Sequence, residues 1–334
     1  MRDIDELREL RDFDTGAPPL DDETRRRVRA RLRAATDGPP APVRHRRPVL
    51  RIALTAGLAA AVAAGVLVAV RDDDGTRTHP TAKPPATSAP AMRNVSAQTV
   101  LKGAAAYARE HERTVSPRDD QFIYTKEIIK ETEQKTGVTK SYVDENWRSV
   151  DGSKRSWVME IGKGWWSPPL QKGVSVWPPQ DWGTLRKLPT DPKRLILSIA
   201  NDFGGRGTSL DDLSDEDWSQ VHFSLAGLLK LVPVMPDGLR PAAYEALGMV
   251  PGVKVLPGQK DAKGRTGVAI TYDDPTLPKG VTDFTGYFIF DPVTYRFLGF
   301  RDTRTSGNGA AMKKYTQLSY LDGWAIVDRV KQRP

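Results

Sequence analysis

The residues that could do chemistry are few and scattered. The 334-residue chain carries four histidines, His45, His79, His111 and His222, and no cysteine. Without thiols there is no disulfide, no thiolate nucleophile and no cysteine-based zinc site. Paired aspartates fall at 21–22, 72–73, 119–120, 211–212 and 273–274, and none has a partner that would mark a metal site. The patterns HExxH, GxSxG and the Walker loop are absent. "GGRGTS" at 204–209 is rich in glycine but follows a helical pattern, so it reads as a loop and not as a phosphate cradle. His222 lies near the apolar stripe of its own segment and reads as a structural histidine. His111 and Glu112 read as a solvated helix end, and His79 as a solvated linker residue. The expectation is a protein that is not an enzyme and holds neither cofactor nor metal.

What stands out instead is apolar. "GWWSPPLQKGVSVWPPQDW", Gly164 to Trp182, holds Trp165, Trp166, Trp177 and Trp182, half of the 8 tryptophans, and two Pro-Pro pairs keep it from being helical. It reads as a long loop whose indoles either cover the edge of the core or form a lip over a hydrophobic cavity or a partner surface. Two groups of strand residues complete the candidate cavity: Trp147, Trp157, Met159 and Ile161, and then Val268, Ile270 and Tyr272. Within each strand these share one parity, hence one face. Both groups are expected to face the interior of a curved sheet, either filled by helices or left partly open to a lipid.

The elements that must position them follow from periodicity. Ser96 caps an amphipathic helix through residues 97–113, with Val100, Leu101, Ala104, Tyr107 and Ala108 on its apolar side. Strands follow at 121–131, 138–150 and 154–162, separated by turn signals. Helices are expected at 191–203, at 214–232 behind a Ser214–Asp217 capping pair, and at 237–252. Strands return at 252–258, 265–273, 284–291, 294–302, 313–321 and 323–330, with "FIFDPVTYRFLGF" a strong hairpin signal. Helix, strands, helices, strands argues for an α+β fold, a curved antiparallel, half-barrel-like sheet packed on helices.

Nearly all the aromatic residues belong to this part, since only Phe13 precedes residue 100. Ahead of it, Ile52 to Val70 runs for nineteen residues without a charge. Val49–Val70 as a helix would be about 33 Å long, matching a bilayer core of about 30 Å. Arg44, Arg46, Arg47 and Arg51 flank one side and Asp72, Asp73 and Asp74 the other. That asymmetry predicts one transmembrane helix at 49–70, a cytoplasmic N-terminus and a C-terminal domain outside the cell membrane. Residues 1–48 read as a short helical stub, of which 1–43 could tail off beside the bilayer or fold on a cytoplasmic protein. Residues 71–95 read as a disordered Pro/Thr/Ala linker and 96–334 as the outer domain. The net charge of +8 is a mild excess for this length, and no nucleic-acid partner is expected.

The segments "ELRELRDFDTGAPPLDDETRRRVRARLRAA", "DGLRPAAYEALGMVPGVKVLPG", "GRTGVAITYDD" and "FIFDPVTYRFLGF" resemble an uncharacterised actinobacterial family of single-pass membrane proteins. The layout of stub, span, linker and outer domain is similar to that of anti-sigma factors, without the His and Cys of their zinc-binding type. The outer domain looks, more loosely, like the half-barrel of lipoprotein carriers and of sensors that regulate sigma factors. The resemblance implies a signalling or regulatory protein with an outer sensing domain, or else a tethered domain that binds a lipid or lipoprotein. It assigns no functional residue.

Overall fold

The computed structural model describes residues 95–171, 176–205, 207–276, 286–307 and 312–334. The expected stub and span, and all but the last residue of the linker, lie outside the described residues. Among the described residues no helix is long and apolar enough to cross a membrane.

The described chain opens with helix α1 (Ala97–His111), capped by Ser96, whose hydroxyl accepts from the Thr99 amide at 3.1 Å. A meander of four strands follows: β1 (Phe122–Glu133), β2 (Thr139–Ser149), β3 (Ser156–Glu160) and β4 (Lys163–Ser167). Next come the short α2 (Trp182–Leu185), then α3 (Pro192–Asp202), α4 (Asp215–Leu231) and α5 (Leu239–Leu247). A second meander closes the chain: β5 (Val253–Lys260), β6 (Thr266–Tyr272), β7 (Tyr287–Phe290), β8 (Phe297–Ser306) and β9 (Lys313–Val327). All nine strands form one open, curved antiparallel sheet in the order β4-β3-β2-β1-β9-β8-β7-β6-β5. The fold is thus α+β, as the alternation of segments predicts.

Local chemistry explains the helices. Asp191 and Ser214 cap α3 and α4, and Ser214 and Asp217 form the reciprocal capping box. Pro192 fills the first turn of α3, where its missing N–H costs nothing. Helix α5 touches α1, α3 and α4 and buries Leu239, Ala242, Ala243, Tyr244, Ala246 and Leu247. Its alanines allow close approach on several sides at once. Arg109 of α1 closes on Glu245 of α5 with two bonds of 2.8 and 2.7 Å.

The helices cover one face of the second meander. Val268, Ile270 and Tyr272 of β6, Phe288 and Phe290 of β7 and Phe300 of β8 pack into the same core as α1, α3, α4 and α5. Phe288, Phe297 and Phe300 interlock edge to face or tilted, with centroids 4.7–6.5 Å apart. That part of the interior is filled.

Two elements differ from the sequence reading. The expected strands at 313–321 and 323–330 are one strand, β9, because the register shift between Lys126 and Glu127 absorbs Asp322 as a bulge without breaking the pairing to β1. The tryptophan-rich stretch is not loop throughout. Lys163–Ser167 pairs with β3 as an edge strand, Trp157 opposite Trp166 and Val158 opposite Trp165.

Candidate functional site

Paired residues of an antiparallel ladder point to the same side, so the register assigns every strand residue to a face. Ile270 pairs with Phe288, Phe288 with Phe300, Phe300 with Ser319 and Ser319 with Ile129. These point toward the helices. Tyr124, of opposite parity to Ile129 on β1, pairs with Trp147, and Trp147 pairs with Trp157. Trp147, Trp157 and Met159 therefore lie on the outer face, opposite Val268, Ile270 and Tyr272. The expectation that both groups share one interior is corrected: parity holds within each strand, but the two sets fall on opposite sides of the sheet.

The outer face has its own small core of Phe122, Tyr124, Trp147 and Val327. The C-terminal residues cross it. The Trp147 Nε1–H donates to the Gln332 carbonyl at 2.6 Å, and Arg333 pairs with Glu145, which also accepts from the Tyr124 hydroxyl at 2.7 Å. The Lys331 ammonium lies 4.0 Å from the Trp157 ring centre and 5.7 Å from that of Trp166. Ile161 lies in the β3–β4 turn with φ 51°, held there because Asp144 accepts from the Ile161 and Gly162 amides at 2.7 Å each. Trp165 and Trp166 stand half-exposed on the edge strand. Trp177 and Trp182 are not a lip: both are buried among the helices, and the Trp177 indole donates to the Ser224 carbonyl at 2.9 Å.

Toward the helices, the central strands are polar. Asp144 and Glu131 are buried, and Arg304 and Gln317 bond Glu131 at 2.7 and 3.0 Å. Burial holds the Glu127 carboxyl above its usual range, partly offset by the Ser319 hydroxyl and the Lys230 charge. Lys230 of α4 reaches Asp302 of β8 at 2.5 Å. A continuous greasy interior is therefore excluded under β1 and β2. Among the described residues no three acidic or histidine side chains are placed to hold a metal ion.

The concavity that remains opens where the sheet splits. The β8–β9 ladder ends at Phe300 opposite Ser319, while β9 continues to Val327 paired only with β1. Between the parted strands lies a groove of about 670 Å³. Its floor is buried and apolar: Ala104 of α1, Leu229 of α4, Val234 and Met235 of the α4–α5 connection, Tyr244 of α5, and Phe300. Trp324 of β9 and Phe297 of β8 flank the opening, and Arg113, Arg240, Lys263 and Arg296 stand around it. None of the eleven cavity residues named from the sequence lines this groove.

His111 is at its rim, stacked on Tyr107 at 3.9 Å with Nδ1 2.9 Å from the Tyr107 carbonyl. Glu112 is not the solvated cap expected of it. It is half-buried, accepts from the Gly238 amide at 3.1 Å, and burial raises its carboxyl above the usual range. His222 lies elsewhere, buried and stacked on Tyr272 at 3.8 Å, with burial pushing its imidazole down to about 3. The groove escaped the sequence reading because Ala104, Tyr107 and Ala108, though on the apolar side of α1, meet there the end of a strand ladder and hairpin tips far away in sequence, which periodicity does not bring together.

No protein-family model matches the sequence, and no curated protein does. Among solved structures the chain is similar to a LolA superfamily protein, NE2245 from Nitrosomonas europaea, at 10% identity and a TM-score of 0.18, over 72% of this chain and 96% of that one. A likeness of that size establishes neither family nor function. None of these findings supports the resemblance to actinobacterial single-pass proteins or the anti-sigma layout.

Proposed function

We propose that residues 95–334 form a non-catalytic domain that binds the apolar chain of a lipid or of a lipid-modified protein. On this reading the domain lies outside the cell membrane, tethered by Val49–Val70. The observation that carries it is the groove between β8 and β9. Its volume of about 670 Å³ lies within the range of roughly 300–1,000 Å³ usual for small-ligand sites. Its floor is apolar and its rim charged, which suits a molecule with a greasy body and a polar end.

The groove offers little for catalysis. Among the described residues no serine or threonine lines it, and the histidine that does, His111, is turned to a backbone carbonyl. His222 of α4, its imidazole pushed down to about 3 by burial, fits a structural group better than a base poised near neutral pH. The regulatory reading rests on residues 1–43, outside the described residues, and no feature of the described domain favours it.

Native mass spectrometry of the full chain extracted from membranes tests the proposal. A lipid-mass adduct is expected. It should be lost in Ala108→Phe, which places a ring in the groove, if that variant keeps the parent melting temperature. A chain free of adduct in every mild detergent would overturn the reading, as would an adduct indifferent to the substitution.

A further inference from the structure

The charges around the groove do not balance, and the imbalance says what end of the ligand it takes. Among the described residues two acids line it, and neither makes an ion pair with Arg113, Lys263 or Arg296. Asp322 is paired at 2.8 Å with Lys126, which lies outside the groove. Glu112 is half-buried and spent on the Gly238 amide, and the charge of Arg240 partly offsets the burial that raises its carboxyl. Three of the cations are likewise spent, Lys230 on Asp302, Arg265 on the buried Asp261, and Arg240, which donates to the Pro233 carbonyl, at 2.5 Å each.

Three others remain. Arg113 follows the end of α1, Lys263 sits in the β5–β6 hairpin and Arg296 in the β7–β8 hairpin. All three are exposed, and among the described residues none makes an ion pair within 4 Å. Lys263 instead lies 4.2 Å from the ring centre of Tyr320, a groove residue. Cations left without a close ion pair above an apolar floor attract an anion whose tail is apolar, because a charge-assisted hydrogen bond at the rim and burial of the chain below act together.

Resting on the lipid-binding reading, we propose that the groove selects amphiphiles with an anionic headgroup, held by Arg113, Lys263 and Arg296. A carboxylate and a phosphate share this chemistry, and the test separates them.

The full chain, immobilised through an N-terminal tag, is offered radiolabelled palmitate, palmitoyl lysophosphatidic acid and monopalmitoylglycerol, each below its micelle concentration. The three carry one chain and differ in the headgroup. At least one anionic probe should bind about tenfold tighter than the neutral one, a ratio equal to about 1.4 kcal/mol. The preference should shrink with added salt. In the triple variant Arg113→Gln, Lys263→Gln, Arg296→Gln the anionic probes should fall to the level of the neutral one, whose own binding stays unchanged. Which anion leads identifies the headgroup. Equal retention of all three probes by the parent chain would overturn the headgroup selection and leave the apolar groove standing. So would a triple variant that keeps its preference, or one that loses all three probes alike. Retention of none would remove the groove reading itself.

Discussion

Lys230 and Asp302 meet at 2.5 Å, joining the last turn of α4 to β8 where the sheet ceases to present apolar residues to the helices. Among the described residues, Asp302 Oδ1 is buried without a hydrogen-bond partner, so Lys230 carries most of the compensation for that carboxylate. Breaking such a pair from one side costs roughly 3–5 kcal/mol when both groups are fully buried. Lys230 is 36% exposed, so the expected loss for Lys230→Met is smaller, about 2 kcal/mol. Urea unfolding of the variant measures it. Lys230→Met combined with Asp302→Leu should recover most of the loss; a double variant no better than the single one would mean that the pair is not what the helix end relies on.

His222 makes the domain sensitive to mild acid. Its ordinary value is 6.5 and the fold depresses it to about 3. Below about pH 6.5 the unfolded chain binds a proton that the folded chain refuses. Stability is thus full above that pH and declines as pH falls toward the folded value, by about 1.4 kcal/mol per unit. Between pH 7 and pH 5 most carboxylates stay ionised, and the expected loss is about 2 kcal/mol. Thermal melts across that window should show the decline in the parent chain and a flatter profile in His222→Gln. Parallel profiles would disprove the assignment.

Asp144 holds a turn that its own sequence resists. Ile161 sits at φ 51°, where a β-branched residue is strained, and the two amides that follow the bend both donate to Asp144. Asp144→Ala removes both bonds to a charged acceptor and should cost about 3 kcal/mol. Hydrogen exchange should place the loosening at β3 and β4, with β6 and β7 unchanged. A uniform loss of protection across the sheet would contradict this local role.

The proposed tether is testable without a ligand. Reporter fusions after residue 95 should be active outside the membrane and fusions at the N-terminus inside it, following the arginines before Val49–Val70 and the aspartates after it. A cytoplasmic signal from the downstream fusion would reverse the topology, and a clipped, released domain would replace the anchor with a cleaved signal.

Much of the fold is legible in the sequence because it is local. The capping box at Ser214 and Asp217, the amphipathic stripe of α1, and the Asp291-centred turn inside "FIFDPVTYRFLGF" are decided by residues a few positions apart. Alternation likewise assigns Trp157 and Met159 to one face of their strand, and Val268, Ile270 and Tyr272 to one face of theirs.

What alternation leaves open is which face is which, because a period of two is the same read from either side of the sheet. Pairing of Trp147 with Tyr124, and of Ile270 with Phe288, settles that the two sets oppose each other. These are contacts between residues far apart in sequence, and bulges such as the one at Asp322 reset the count between them. The groove depends on the same long-range order. It exists because the β8 ladder stops at Phe300 while β9 runs on to Val327, and because α1, the α4–α5 connection and two hairpins end around that gap. Composition and periodicity determine that this chain makes an apolar-cored sheet covered by helices. Where the sheet parts, and which cations stand over the opening, is decided only when the strands find their register.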